Sequence, residues 1–450
     1  MRKVHRCVVA LAATGLGACS LDRTNPNSPT QDQVTSSPET VLGLATGLQG
    51  RFATSYFNFA YMAGLVTDEF AATSAALLSI SDAEQGVVAP GTGIADNVFN
   101  SIYRTVRSAD EVLAGADALS GSFSAGTRSG LKALAYTLKA EALGEAIQSY
   151  QRAPVNTFGV VSPTYASRDS VLVAVRALLD SAAALLTATP VSAQFTTTIL
   201  TPGVSLPNML QIYRARYARM AGDDATALAA ANAVPRSGAA AISAFTYPTP
   251  GVNPWSAVTG GTNGIAVRRQ YRISMLPQDQ RFQFFTIPST TLVGRVGALL
   301  DPFSIRFAVA ASTQLVYFPD EALLIKAEAL TNQGNLPGAQ AALDSVRTDC
   351  TGGRGLDDPK ACLQALVGTL TSAQLLAEIY VQRRYELLGT GLRWEDTRRR
   401  SAIRGPVAAP ALPVDGQRCW LPYALGDRNS NQQVPADPSE PASFPASCPL

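Results

Sequence analysis

Histidine is all but missing from this chain: among 450 residues the only one is His5. It lies in a leader that export would remove. Without it the chain cannot assemble Ser-His-Asp or Cys-His catalysis, nor a histidine-ligated zinc site. The patterns GxSxG, GxxxxGK and HExxH are absent as well. A dominant charge is also lacking. The 36 basic and 34 acidic residues nearly cancel, and losing Arg2, Lys3 and Arg6 with the leader leaves 33 against 34. Such a balance carries no footprint for nucleic acid and no polybasic patch for an anionic membrane surface. Cysteines are few, and none falls in a CxxC pair, which disfavours zinc. Hydrophobic runs are short. The opening one, about ten apolar residues, cannot span a bilayer.

That opening run instead reads as an export signal. Arg2, Lys3 and Arg6 form a positive start, an alanine-rich segment follows, and Leu16-Gly17-Ala18-Cys19 resembles a bacterial lipobox. In that motif the cysteine thiol is acylated and becomes the new N-terminus. Residues 1–18 are therefore the expected signal peptide, and 19–38, rich in Asn, Ser, Thr and Pro, the expected tether behind lipidated Cys19. Several acyl chains, at about 0.8 kcal/mol per buried CH₂, would anchor it stably. The remaining cysteines, Cys350, Cys362, Cys419 and Cys448, suit two disulfides in an exported protein. Cys350–Cys362 and Cys419–Cys448 are favoured because each closes a short loop rich in Gly, Pro or Asp.

Helical periodicity governs the rest. Apolar residues recur at i, i+3, i+4 and i+7 over 39–57, 96–118, 128–149, 168–187, 207–221, 223–234, 319–333, 337–347 and 372–388. Two segments match at fixed offsets: GDDATALAAANAV (222–234) and GNLPGAQAALDSV (334–346) share G-[DN]-x3-A-x2-A-x3-V. A turn glycine followed by nesting alanines resembles the tetratricopeptide helix–turn–helix unit. Residues 236–316 are different, dense in Gly, Pro, Asn and Ser with interspersed aromatics, and only RFQFFTIP and STQLVYFP read as short strands. The expected fold is mainly α: tetratricopeptide-like pairs over 39–235 and 317–400, a loop-rich ligand-facing part at 236–316, an irregular tail at 401–450, and little β.

The segment VQRRYELLGTGLRWEDTRRR (381–400) resembles the C-terminal motif of SusD/RagB-like outer-membrane lipoproteins, roughly R-R-x-E-L-x-x-E-G-x-R-x-x-D-L-x-R. Arg383, Arg384, Glu386, Leu387, Gly391, Arg393, Asp396 and Arg398 fall at matching positions. Thr390 and Thr397 depart from it, standing where the family has Glu and Leu. The charge pattern reads as scaffold: glycines turn the chain at 389–391, and arginine–carboxylate pairs lock the flanking helices. The resemblance implies a non-enzymatic, lipid-anchored outer-membrane protein, without cofactor or metal. Such a protein captures an oligosaccharide, or sometimes a peptide, for a TonB-dependent transporter. A tetratricopeptide-like assembly scaffold is the alternative.

Ligand residues must then be argued from chemistry. Sugar rings stack on aromatic faces, and their hydroxyls pair with amides and charged groups. Trp255, in a Pro/Gly-rich loop with Tyr247 and Asn253, is the leading candidate, followed by Asn263, Arg268 and Tyr271. Trp394 and Trp420 read as packing residues, as do Phe52, Tyr56 and Phe59. Asp68 and Glu69, at a helix-to-loop boundary, read as solvated acids, and DRNSNQQ (427–433) as a solvated turn.

Overall fold

The computed structural model describes residues 37–235, 244–245, 247, 253–259, 263–304, 314–350, 359–403 and 418–438. The leader, Cys19, most of the tether and Cys448 lie outside the described residues.

The longer helices are α1 (Pro38–Val66), α2 (Leu78–Glu84), α3 (Gly93–Ala118), α4 (Ala125–Ser149), α5 (Arg168–Ala188), α6 (Leu206–Met220), α7 (Asp224–Ala233), α8 (Pro319–Asn332), α9 (Leu336–Arg347), α10 (Ser372–Glu386) and α11 (Leu392–Ile403). Local chemistry sets their starts. Side chains of Ser37, Ser124, Ser167, Ser205, Asp223, Asn335 and Thr371 each accept a backbone N–H from the first turn. From α3 to α10 each helix packs on the next in sequence, while α1 lies against both α3 and α4. The order is that of stacked helical pairs.

The internal match is structural. Gly222 and Gly334 both take positive φ, 74° and 79°. The next residue caps the following helix in each case, and Ala227, Ala230, Ala339 and Ala342 are all buried. Pairs α6/α7 and α8/α9 are thus equivalent units, as the shared spacing predicts.

Three departures from the sequence reading have physical causes. Helix α1 continues to Val66 because Phe57, Tyr61, Met62 and Leu65 keep it in the core. The strand expected at 281–288 is instead one helical turn, Phe282–Phe285. Phe284 and Phe285 both pack on Phe318, at 5.8 and 6.0 Å between ring centroids. Successive residues of a strand would point to opposite faces. The solvated turn expected at 427–433 begins within a short helix, Leu425–Ser430, which buries no residue and in which Asp427 accepts a hydrogen bond from the Tyr165 hydroxyl.

The β structure is slight. Strands β1 (Phe70–Ala72), β5 (Ile265–Arg268) and β6 (Leu300–Asp301) form one antiparallel sheet, with Phe70 opposite Val267 and Val267 opposite Asp301. Arg152–Pro154 (β2) pairs with Tyr165–Ser167 (β3). Ala244–Phe245 (β4) pairs with Gln314–Leu315 (β7), the strand that STQLVYFP predicts. Cys350 and Cys362 form a disulfide. Cys419 is disulfide-bonded too.

The turn between α10 and α11 is the tightest joint. Gly389 and Gly391 take φ of 72° and 80°, and a Cβ on Gly391 would overlap the Phe59 ring of α1. Gly391→Ala combines a left-handed backbone with a steric clash and should cost about 2–4 kcal/mol. Gly203→Ala, at φ 85° but in open space, should cost only about 1 kcal/mol. Urea denaturation of the two variants checks this; equal losses would mean that Phe59 yields.

Candidate ligand face at the end of the first helix

Trp255, Asn263 and Arg268 converge on the C-terminal end of α1. There the Glu69 N–H bonds the Gly64 carbonyl at 3.0 Å and Asp68 sits at φ 59°, a left-handed helix stop built without glycine. The chain then enters β1, against which β5 lays Ile265–Arg268. Asn263 precedes that strand and Tyr271 follows it.

The aromatic candidates are core. Trp255 is 2% exposed, its indole edge-to-face with Phe57, Phe70 and Phe303 at 5.0, 5.7 and 5.8 Å. Asn253 is an N-cap, its side chain accepting the Trp255 N–H at 3.0 Å. Tyr271 is buried and donates its hydroxyl to the Tyr385 carbonyl at 2.6 Å. Tyr247 is buried as well. Burial withdraws Trp255, Tyr247 and Tyr271 from the stacking role expected of them, and Asn253 is spent as a cap. Trp255 covers Phe57 of α1 and Phe70 of β1, and burying that apolar surface outweighs presenting a ring to water. Asn263 is exposed, and its carbonyl accepts from the Tyr61 hydroxyl at 3.4 Å. Arg268 is half-buried, bonding Glu84 at 2.6 Å and Asp68 at 3.1 Å. Of the six, Asn263 and Arg268 reach the surface.

Asp68 and Glu69 are not solvated. Both are buried, and their side chains engage different parts of the molecule. Asp68 joins Arg268, whereas Glu69 Oε2 accepts the Gly389 N–H at 3.4 Å and Oε1 has no partner among the described residues. Burial pushes the Glu69 carboxyl up to about 7, against the pull of Arg393, the Gly389 N–H and Arg384. Burial likewise raises Glu84, opposed by the Ala72 N–H and Arg268. On β6, Asp301 accepts from Arg272 at 2.6 and 3.1 Å and from the Ser289 N–H at 2.9 Å.

The 381–400 motif supports this face from beneath. Asp396 accepts from Arg219 at 2.8 Å and Arg383 at 2.7 Å. Burial would raise its pKa, but Arg383 and Arg219 hold it at about 2. Glu395 bonds Arg168 at 2.6 Å and Arg398 at 3.3 Å. Arg398 donates to the carbonyls of Cys419 and Gln148, both at 2.7 Å, and lies over the Trp394 and Trp420 rings. Glu386 accepts from Arg281 at 3.4 Å. Arg384 lies beside the Tyr385 ring, and Arg393 is buried facing Glu69. These arginines serve the interior.

Sequence reasoning missed the hairpin over 292–300. Gly294 bridges Thr73 beside β1, and Val293 bridges Leu299. Arg295 donates from its backbone to the Ala72 carbonyl at 2.9 Å and from its side chain to the Ala76 carbonyl at 2.7 Å. The cue was the glycine-flanked apolar run TLVGRVGALL. Elsewhere, a groove of about 400 Å³ between α7, α8 and α9 is lined by Leu228, Asn232, Lys326, Leu330, Asn335 and Ser345, among others.

The raised carboxyl of Glu69 makes stability pH-dependent. The folded state favours the protonated acid, so this contribution is complete below the ordinary value of 4.5 and is lost as pH rises through about 7. Glu69→Gln should flatten the stability curve across that window by on the order of 2 kcal/mol. Urea titrations at pH about 5 and about 8 measure it; an unchanged slope would contradict the assignment.

No protein-family model matches the chain, and no curated protein matches it. Solved structures do. Surface glycan-binding protein A from Bacteroides uniformis superposes with a TM-score of 0.68 at 15% identity, covering 89% of this chain and 99% of that one. A SusD superfamily protein from Bacteroides thetaiotaomicron gives 0.64 at 17% identity, with 91% and 99% covered. NanU from B. fragilis gives 0.64 at 12%, with 92% and 99% covered. The chain therefore has the fold seen in SusD superfamily structures.

Proposed function

We propose that the protein is a cell-surface lipoprotein of the outer membrane that captures a nutrient, an oligosaccharide or a peptide. It would pass the ligand to a TonB-dependent transporter without chemically altering it. The observation that carries this reading is the end-to-end likeness to SusD superfamily structures, one of them a surface glycan-binding protein. The leader and Cys19 support anchoring. The residues 19–38 would serve as tether and 39–450 as one capture domain, with loops 236–316 on the ligand side. The acids around the face, Asp68, Glu84 and Asp301, are engaged by arginines, which suits binding better than acid–base catalysis.

A second reading is an assembly scaffold for envelope proteins, favoured by the groove between α7, α8 and α9. Fractionation in the native host separates the two. The wild-type chain should sediment with outer membranes and co-purify in mild detergent with a large TonB-dependent barrel, and Cys19→Ala should release it. Unchanged partitioning of Cys19→Ala would refute the anchor, and retrieval of other envelope proteins without a barrel would favour assembly.

A further inference from the structure

The aromatic side chains are in the wrong place for a sugar. All 3 tryptophans and all 14 tyrosines lie among the described residues, and none is exposed. Trp255, Trp394 and Trp420 are fully buried, and of the tyrosines only Tyr103 and Tyr136 are as much as partly exposed. Tyr103 is tied to the Pro154 carbonyl at the end of β2, and Tyr136 packs on the helical core. A sugar ring would find neither an indole nor a phenol to stack on.

The face exposes aliphatic groups instead. Leu77, Leu78, Ile273, Val293, Val296 and Leu299 are each 43–60% exposed. Backbone contacts place them in one band. Arg295, next to Val296, bonds the carbonyl of Ala76, next to Leu77. Val293 bridges Leu299, whose carbonyl accepts the Arg269 N–H at 2.8 Å, and Ile273 lies one helical turn beyond Arg269. Exposed apolar side chains gathered in this way around one hairpin mark a binding site.

One cation in the band is unspent. Arg268 and Arg272 have carboxylates, but the side chain of the exposed Arg295 bonds only the Ala76 carbonyl and meets no carboxylate among the described residues. Its charge complements an anionic group set among aliphatic ones. Along the hairpin the exposed Val293, Val296 and Leu299 recur every three residues with glycines and Arg295 between them, which fits a chain bearing spaced apolar side chains better than one continuous acyl tail.

We infer that the ligand of this face is a peptide, bound through aliphatic side chains along Leu77, Val293, Val296 and Leu299 and through a carboxylate at Arg295. This rests on the capture reading above and names its ligand class. The test uses the detergent-purified full-length protein. One probe is a pool of fluorescent synthetic peptides with leucine or valine at alternate positions and one aspartate; the others are maltoheptaose and a uronate oligosaccharide. Peptide should bind saturably. Leu299→Asp and Arg295→Gln should each weaken it about tenfold or more, while Val173→Asp, at an exposed site on α5, should leave it unchanged. Neither saccharide should compete. Saccharide binding without peptide binding would overturn the ligand class and leave capture standing. Peptide binding indifferent to both variants would overturn the site, and binding of none of the probes would count against both readings.

Discussion

The fold hangs on arginines buried between helices. Arg219 on α6 reaches Glu328 on α8 and Asp396 on α11, and Asp396 is held in turn by Arg383 on α10. One turn earlier on α6, Arg216 joins Glu141 on α4 to Glu321 on α8, the latter through two bonds of 2.7 and 2.8 Å. Taking such charges from water costs several kcal/mol per ion. Their pairing offsets that cost only when geometry is good, so the net gain is small while loss of one partner costs about 3–5 kcal/mol. What the network supplies is register. Alanine-rich helices slide easily over one another, and a guanidinium fork with fixed partners selects one alignment.

The ligand face inherits its position from that network. The α10–α11 turn presents the Gly389 N–H to Glu69, and Tyr385 on α10 receives the Tyr271 hydroxyl. Both contacts tie the small sheet to the charged core rather than to its own few ladder bonds. A three-stranded sheet with strands of two to four residues would be marginal alone. Seated on α1 and the motif turn, it can hold an apolar band in water.

Much of this was legible in the sequence. Helices were visible because a core-facing helix must repeat its apolar residues every three or four positions, and the 222–234 and 334–346 match was visible because equivalent turns need the same glycine and the same small residues. The motif arginines were recognisable as scaffold from their interleaved acids. The loops were not legible. Trp255 in a Pro/Gly-rich segment looks the same whether its ring faces water or caps α1, because that choice is made by Phe57, Phe70 and Phe303, far apart in sequence. Asp68 and Glu69 looked like solvent-facing acids because their partners, Arg268 and the Gly389 N–H, lie about 200 and 320 residues away. Non-local pairing of this kind leaves no periodic trace.

The most direct test of the account is hydrogen exchange read by mass spectrometry on the full-length protein, with and without saturating peptide. New protection should concentrate at 72–80, 268–276 and 292–300, while α10 and α11 remain unchanged. Protection appearing instead along α7, α8 and α9, with the hairpin over 292–300 unaltered, would contradict it and move ligand recognition to the helical groove.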